Sequence, residues 1–440
     1  MLRRLIIIGV FTGVGQIFSL FAVKHLAANG SVQELKNLAQ IDSYFQLLLA
    51  MIALGLQAGA IRDIALEPNW KDYFKKVQAA RLTLSLFLFP IGIAGYYNPA
   101  YYIFFLSPIL AMSGDYALYA TGKPVMGSIV SCIRTVLPYL TILITSTIIY
   151  SGISYWYLAG TLFAYVLTNW FIARQFNMSV FYLPSMKSLQ LYVNTIPLGI
   201  VNLCLYTIGL GLLIILPGFY SDTVVATAFV GLKFYVLVKG VLRLIHQAFI
   251  REMQSDDTCL KADQLSLLFT VTIAAALLIF PGSTIDFLFG VKFLEYKSFF
   301  LLLGGAAVLY AFNLSMATKA MLDRKDKQYT LLMTIAAIVT IVSAMILSVV
   351  YPNLLSVGFS VLLGELVFCA GLIVLMRGKN ILIPRTQFLV FLIGLLAPIY
   401  VLRLFVDDSL LLNIISLTAF GLLAIFIHRR RFVTAINTTV

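Results

Sequence analysis

The chain has 440 residues, 61% of them hydrophobic and 11% charged, with a formal net charge of +13 and a mean hydropathy of +0.97. A soluble chain would carry roughly 25% charged residues, so a soluble enzyme or nucleic-acid-binding domain is excluded and the positive charge is read as membrane topology, with no nucleic acid as partner. Four cysteines without CxxC or Cys/His spacing, and three histidines far apart in sequence, give no disulfide framework, metal site or cofactor.

In chain order, apolar runs long enough to span a bilayer fall at residues 5–27, 38–60, 82–97, 100–120, 126–149, 153–173, 191–216, 223–247, 265–281, 298–321, 329–350, 355–376, 387–405 and 409–427. They predict an all-α polytopic membrane protein with about 14 transmembrane helices, the third and ninth being the weakest. The first run starts with charge like a signal peptide but is too long for one, and is kept as a span. It carries a polar stripe, Thr12, Gln16 and Ser19; the second carries Gln46, Ala50, Ala53 and Gln57. Asp115 in the fourth span and Arg134 in the fifth lie on consecutive helices at overlapping depth and are read as an ion pair. In the seventh span Thr195, Asn202, Tyr206 and Gly209 share a face.

The eighth run is the most unusual, because it carries Lys233, Lys239, Arg243 and His246. A charge near the bilayer centre costs roughly 2.5–3.5 kcal/mol on insertion scales, so such residues face protein or a hydrated cavity. Lys233 lies near mid-depth; Lys239, Arg243 and His246 share one narrow face toward one end. Glu365 in the twelfth span, also near mid-depth, is the expected partner of Lys233. Unpaired, Asp115 and Glu365 would be candidates for ion or proton coupling.

Most lysines and arginines fall in alternate loops, leaving Lys24, Lys36, Lys292 and Lys297 on the other side. This places both termini in the cytoplasm. The connectors 62–81 and 251–263 are both assigned to that side, and AIRDIALEPN before the third span resembles FIREMQSDDT before the ninth. The organisation is a six-helix lobe (1–175), a cytoplasmic linker (176–190), a second, pseudo-twofold-related six-helix lobe (191–376), and two C-terminal helices with a basic tail (377–440). The first, second, seventh and eighth spans then hold equivalent positions, and their polar stripes are expected to share a hydrated cavity. Outer loops are short, with no acid/base pair and no P-loop, so no catalytic residues are assigned.

GLQAGAIRDIA (55–65), YATGKPVMGSIVSCIRTVL after the fourth span and FLFGVKF (287–293), set in this layout, resemble the polysaccharide-transporter branch of the multidrug/oligosaccharidyl-lipid/polysaccharide flippase superfamily, the Wzx-like O-antigen and capsule flippases. The resemblance implies an inner-membrane, alternating-access flippase of polyprenyl-pyrophosphate-linked oligosaccharide, working beside membrane lipid and a glycan polymerase or ligase. The first span lacks the paired arginines of the peptidoglycan-precursor flippases. On this reading Lys233 and Arg134 hold phosphate, and Gln16, Asn202, Tyr206 and Tyr235 contact sugar. Arg62, Lys239 and Arg243 form a cytoplasmic cation funnel. The alternatives are a cation-coupled multidrug antiporter, whose cavity should be acidic, and a membrane-embedded glycan polymerase or ligase.

Overall fold

The computed structural model describes all residues except 1, 58–59, 62–63, 65–68, 147–151, 194, 250–255, 324, 377–381, 406–407 and 438–440. The chain is an all-α polytopic membrane protein, and each predicted run coincides with a helix or a broken series of helices. We number them α1 (Leu2–Asn29), α2 (Val32–Ala53), α3 (Trp70–Leu88), α4 (Asp115–Ala120), α5 (Pro124–Ser146), α6 (Ile153–Phe176) and α7 (Ile196–Tyr206), then α8 (Asp222–Phe249), α9 (Asp256–Ile279), α10 (Lys297–Leu322), α11 (Asp326–Val350), α12 (Leu354–Leu375), α13 (Leu382–Arg403) and α14 (Leu410–Asn437). Ten helices among the described residues are long and apolar enough to cross a membrane. Besides these, α2 and α6 have spanning length, 22 and 24 residues, but are more polar, and Pro99–Ala111 and Leu410–Ala424 are shorter apolar helices.

Three segments differ from their sequence reading. The third and ninth spans begin earlier, at Trp70 and Asp256, so the second halves of both assigned connectors are helix. The cause is one-sided burial: Phe74, Val77, Gln78 and Arg81 of α3 face inward between exposed lysines, and Cys259, Ala262, Asp263 and Ser266 of α9 are buried beside half-exposed Lys261 and exposed Leu265. The fourth span is broken into a 3-10 stretch (Pro99–Leu106), a short helix (Ser107–Ala111) and α4. Side chains from α3 satisfy the carbonyls released at that break, Gln78 donating to Met112 O at 2.9 Å and Arg81 to Ser113 O. The seventh is interrupted at Ile208 and Gly209, where the backbone leaves helical geometry; the face of Asn202 and Tyr206 therefore does not continue to Gly209.

Packing divides the chain into two compact units, one of Met1–Leu237 with Asp326–Ser356 and one of Val238–Lys325 with Val357–Val440. α7 and α11 belong to the first unit, and α8 gives its first half to one unit and its second half to the other. Glycine explains why α7 joins α2. The chain leaves α2 through Leu54 and Gly55, both at positive φ, +29° and +77°, and a Cβ on Gly199 of α7 would lie 2.6 Å from the carbonyl carbon of Leu54. Only glycine permits that backbone approach. α11 then seats on α7, with Thr330 donating to Pro197 O at 3.2 Å.

Candidate functional site

α2 starts at an N-cap, Ser31 accepting from the amide of Glu34 at 3.1 Å, and about three turns further on it carries the central polar pair of the first unit, Asp42 and Ser43. Both are buried. Lys233 Nζ lies 2.7 Å from Asp42 Oδ2, and Tyr157 of α6 donates its hydroxyl to Asp42 Oδ1 at 2.7 Å. The Lys233 ammonium also stands 4.9 Å from the centre of the Tyr139 ring, which meets Tyr157 edge-on at 5.7 Å. One carboxylate and one ammonium, both nearly solvent-free, thus tie α2, α5, α6 and α8 together. On the next residue, Ser43 Oγ shares a 2.7 Å hydrogen bond with Tyr206 Oη and donates to Leu210 O at 2.6 Å, which anchors the broken seventh segment.

Lys233 therefore has a carboxylate partner, but it is Asp42 and not Glu365. Glu365 lies in the second unit, where Lys239 Nζ approaches its Oε1 at 3.3 Å and the ammonium stands 4.6 Å from the Tyr310 ring centre. Arg243 Nε donates to Tyr310 Oη at 3.2 Å from an exposed position. Lys239 is buried in that cluster and so is not an open funnel cation in this conformation. Arg62 lies outside the described residues.

Arg134 pairs with Asp115 at 2.9 Å. Its Nε donates to Thr168 Oγ1 at 2.9 Å, its Nη2 to Asn169 Oδ1 at 3.2 Å, and its guanidinium stacks 4.4 Å from the Tyr165 ring centre. Four partners hold it, which fits a helix-packing joint of α4, α5 and α6. Tyr235 is fully buried, while Gln16 and Asn202 are half-buried on α1 and α7. The structure thus brings Lys233 and Tyr206 together, on consecutive residues of α2, and places Arg134 in a separate joint.

Two charge clusters escaped the sequence reading. Asp42 is one, although an acid in the second turn of a predicted span is a legible signal. The other is Asp263 of α9 with Arg385 of α13 and Ser315 of α10, all wholly buried, the arginine donating to both. In the sequence Asp263 closes the connector 251–263 and Arg385 falls just before the run 387–405, polar positions where charge is unremarkable. Nearby in the same unit, His246 is buried and its Nε2 lies 3.2 Å from Ser266 Oγ.

No family model matches the chain, and no curated protein matches it by sequence. Solved structures do match by fold. A lipid II flippase, MurJ, in an inward closed conformation, superimposes with a TM-score of 0.74 at 15% identity, over 97% of this chain and 100% of that one. An inward-facing multidrug resistance MATE family transporter of the MOP superfamily gives 0.59 at 16% identity, over 85% of this chain and 94% of that one. A MOP superfamily transporter from Pyrococcus furiosus gives 0.53 at 15% identity, covering 88% and 95%. This chain has the fold those transporters share.

Proposed function

We propose that the protein is a flippase that moves a polyprenyl-pyrophosphate-linked oligosaccharide repeat unit across the cytoplasmic membrane by alternating access, for assembly of a surface polysaccharide. The observation that carries the reading is the end-to-end fold likeness to a lipid II flippase, itself a carrier of a lipid-linked substrate, over 97% of this chain. The buried cation at the core of the first unit supports it. A pyrophosphate needs positive charge, and Lys233 supplies one held in place by Asp42 and Tyr157. In this mechanism substrate phosphate displaces Asp42 from Lys233, and the freed carboxylate takes a proton or a cation, because an unpaired charge at that depth is too costly to leave alone. Tyr206 of α7, held by Ser43, the residue next to Asp42 on α2, faces the sugar once that bond opens. The six-plus-six repeat, with both termini cytoplasmic and a polymerase or ligase as downstream partner, completes the proposal.

Deleting the gene should leave complete single repeat units on their lipid carrier in the cytoplasmic leaflet and remove surface glycan. Lys233→Ala at normal protein level should do the same, and full glycan export by that variant would refute the role of Lys233. A second reading, a cation-coupled drug antiporter, is favoured by the carboxylate of Asp42 inside the first unit and by the MATE-like fold. It requires normal glycan and altered drug tolerance in the deletion strain.

A further inference from the structure

Between the first turns of α3 and the segment joining α6 to α7 lies an open cleft of about 600 Å³, lined among others by Lys75, Lys76, Lys187 and Tyr182. We infer that this cleft binds the phosphate of an anionic membrane lipid. Among the described residues, Lys75 alone of these lysines has a carboxylate within ion-pair distance, Asp72 at 2.9 Å, so the lining of the cleft is cationic. Lysine ammonium groups bind phosphate as mobile point charges and need no bidentate geometry.

The cleft is built in advance. The joining segment is pinned along α3: Gln78 donates to Val180 O at 3.2 Å, the amide of Ser185 donates to Thr83 Oγ1 at 2.9 Å, and the Tyr182 ring meets Phe74 edge-on at 6.4 Å. Pinning turns the segment's apolar side chains outward, leaving Leu183 78% and Met186 67% exposed beside the lysines. Large apolar side chains standing in water are a liability for a segment held this rigidly; set into the acyl edge of a bilayer, they are accounted for. Lys75 and Lys76 then lie at headgroup level, because the apolar run 82–97 starts less than two helical turns beyond them on α3. That combination selects a phosphate carried on a lipid over a phosphate free in water. The site stands whether or not the chain carries a lipid-linked sugar.

The test is native mass spectrometry of the full-length protein released from phosphatidylcholine nanodiscs containing a minor fraction of phosphatidylglycerol. The wild type should retain phosphatidylglycerol in preference to phosphatidylcholine. K76Q/K187Q should weaken that retention about 25-fold, at about fivefold per surface lysine, while K292Q, on an exposed lysine of the other unit, should leave it unchanged. Equal retention by K76Q/K187Q and wild type would overturn the site, as would equal retention of both lipids by the wild type. Displacement of the lipid by millimolar inorganic phosphate would assign the cleft to a soluble anion instead. Should K76Q/K187Q not reach the membrane, K76R/K187R, which keeps the charge and must keep the lipid, and single K187Q, with its about fivefold loss, decide the matter.

Discussion

Lys233→Ala removes the ammonium from a carboxylate that has no water to turn to. The Lys233 and Asp42 side chains are 9% and 1% exposed, so the pair belongs with buried ion pairs and not with the weak surface class. Breaking such a pair from one side costs about 3–5 kcal/mol, because the remaining charge stays buried, whereas replacing both partners by apolar or neutral groups of similar volume is often close to neutral. Tyr157 still donates to Asp42 in the variant and offsets part of that cost, at about 1.5–3 kcal/mol for a hydrogen bond to a charged group, which places Lys233→Ala toward the lower end. Lys233→Met with Asp42→Asn keeps volume and lets the new amide accept from Tyr157. In detergent-solubilised protein, at about 1–2 °C per kcal/mol for a chain of this size by extrapolation from smaller domains, Lys233→Ala should melt about 4 °C below wild type and the double variant within about 2 °C of it. If both melt at the same reduced temperature, the cost is lost packing and not an orphaned charge, and the ion-pair reasoning fails.

Gly199→Ala drives a methyl into the Leu54 backbone at 2.6 Å; overpacking of this kind costs about 1–3 kcal/mol and should appear as loss of monodisperse protein in size-exclusion chromatography, with Gly218→Ala, which meets nothing within 4 Å, behaving as wild type. Arg385→Ala strands the Asp263 carboxylate and should destabilise by about 3–5 kcal/mol, recovered in large part by Arg385→Met with Asp263→Leu; thermal melts of the three proteins decide it. Arg134→Lys keeps the charge for Asp115 but loses at least one of the bonds to Thr168 and Asn169, together with the planar stack on Tyr165. It should lower stability by about 1–3 kcal/mol, and a melt indistinguishable from wild type would show that charge alone holds that joint.

Helix placement was legible because a bilayer demands about 20 apolar residues per crossing, and the runs around α1, α5, α10 and α12 satisfy that without help from packing. The starts of α3 and α9 were hidden because each polar first turn alternates with a buried face, so average hydropathy reads as loop where geometry makes a helix. The candidate site shows the same division. That Lys233 must have a partner followed from its depth in an apolar run. Which carboxylate supplies it did not, because Asp42 and Glu365 are both reachable in principle and sequence carries no distance between helices.

Length, composition and the spacing of apolar runs were enough to determine an all-helical, many-spanning membrane chain with buried cations that have to be neutralised, since hydrocarbon admits neither unpaired backbone nor unpaired charge. Consecutive helices made the Asp115–Arg134 pair legible; between helices distant in sequence, the tertiary structure decided which charges meet. Leu54, Gly55 and Gly199 bring two backbones within contact and so bind the seventh helix to the second. Asp42, and not Glu365, is the acid that meets Lys233, because partner choice between helices depends on approach distance and rotation, quantities set by packing of the whole bundle.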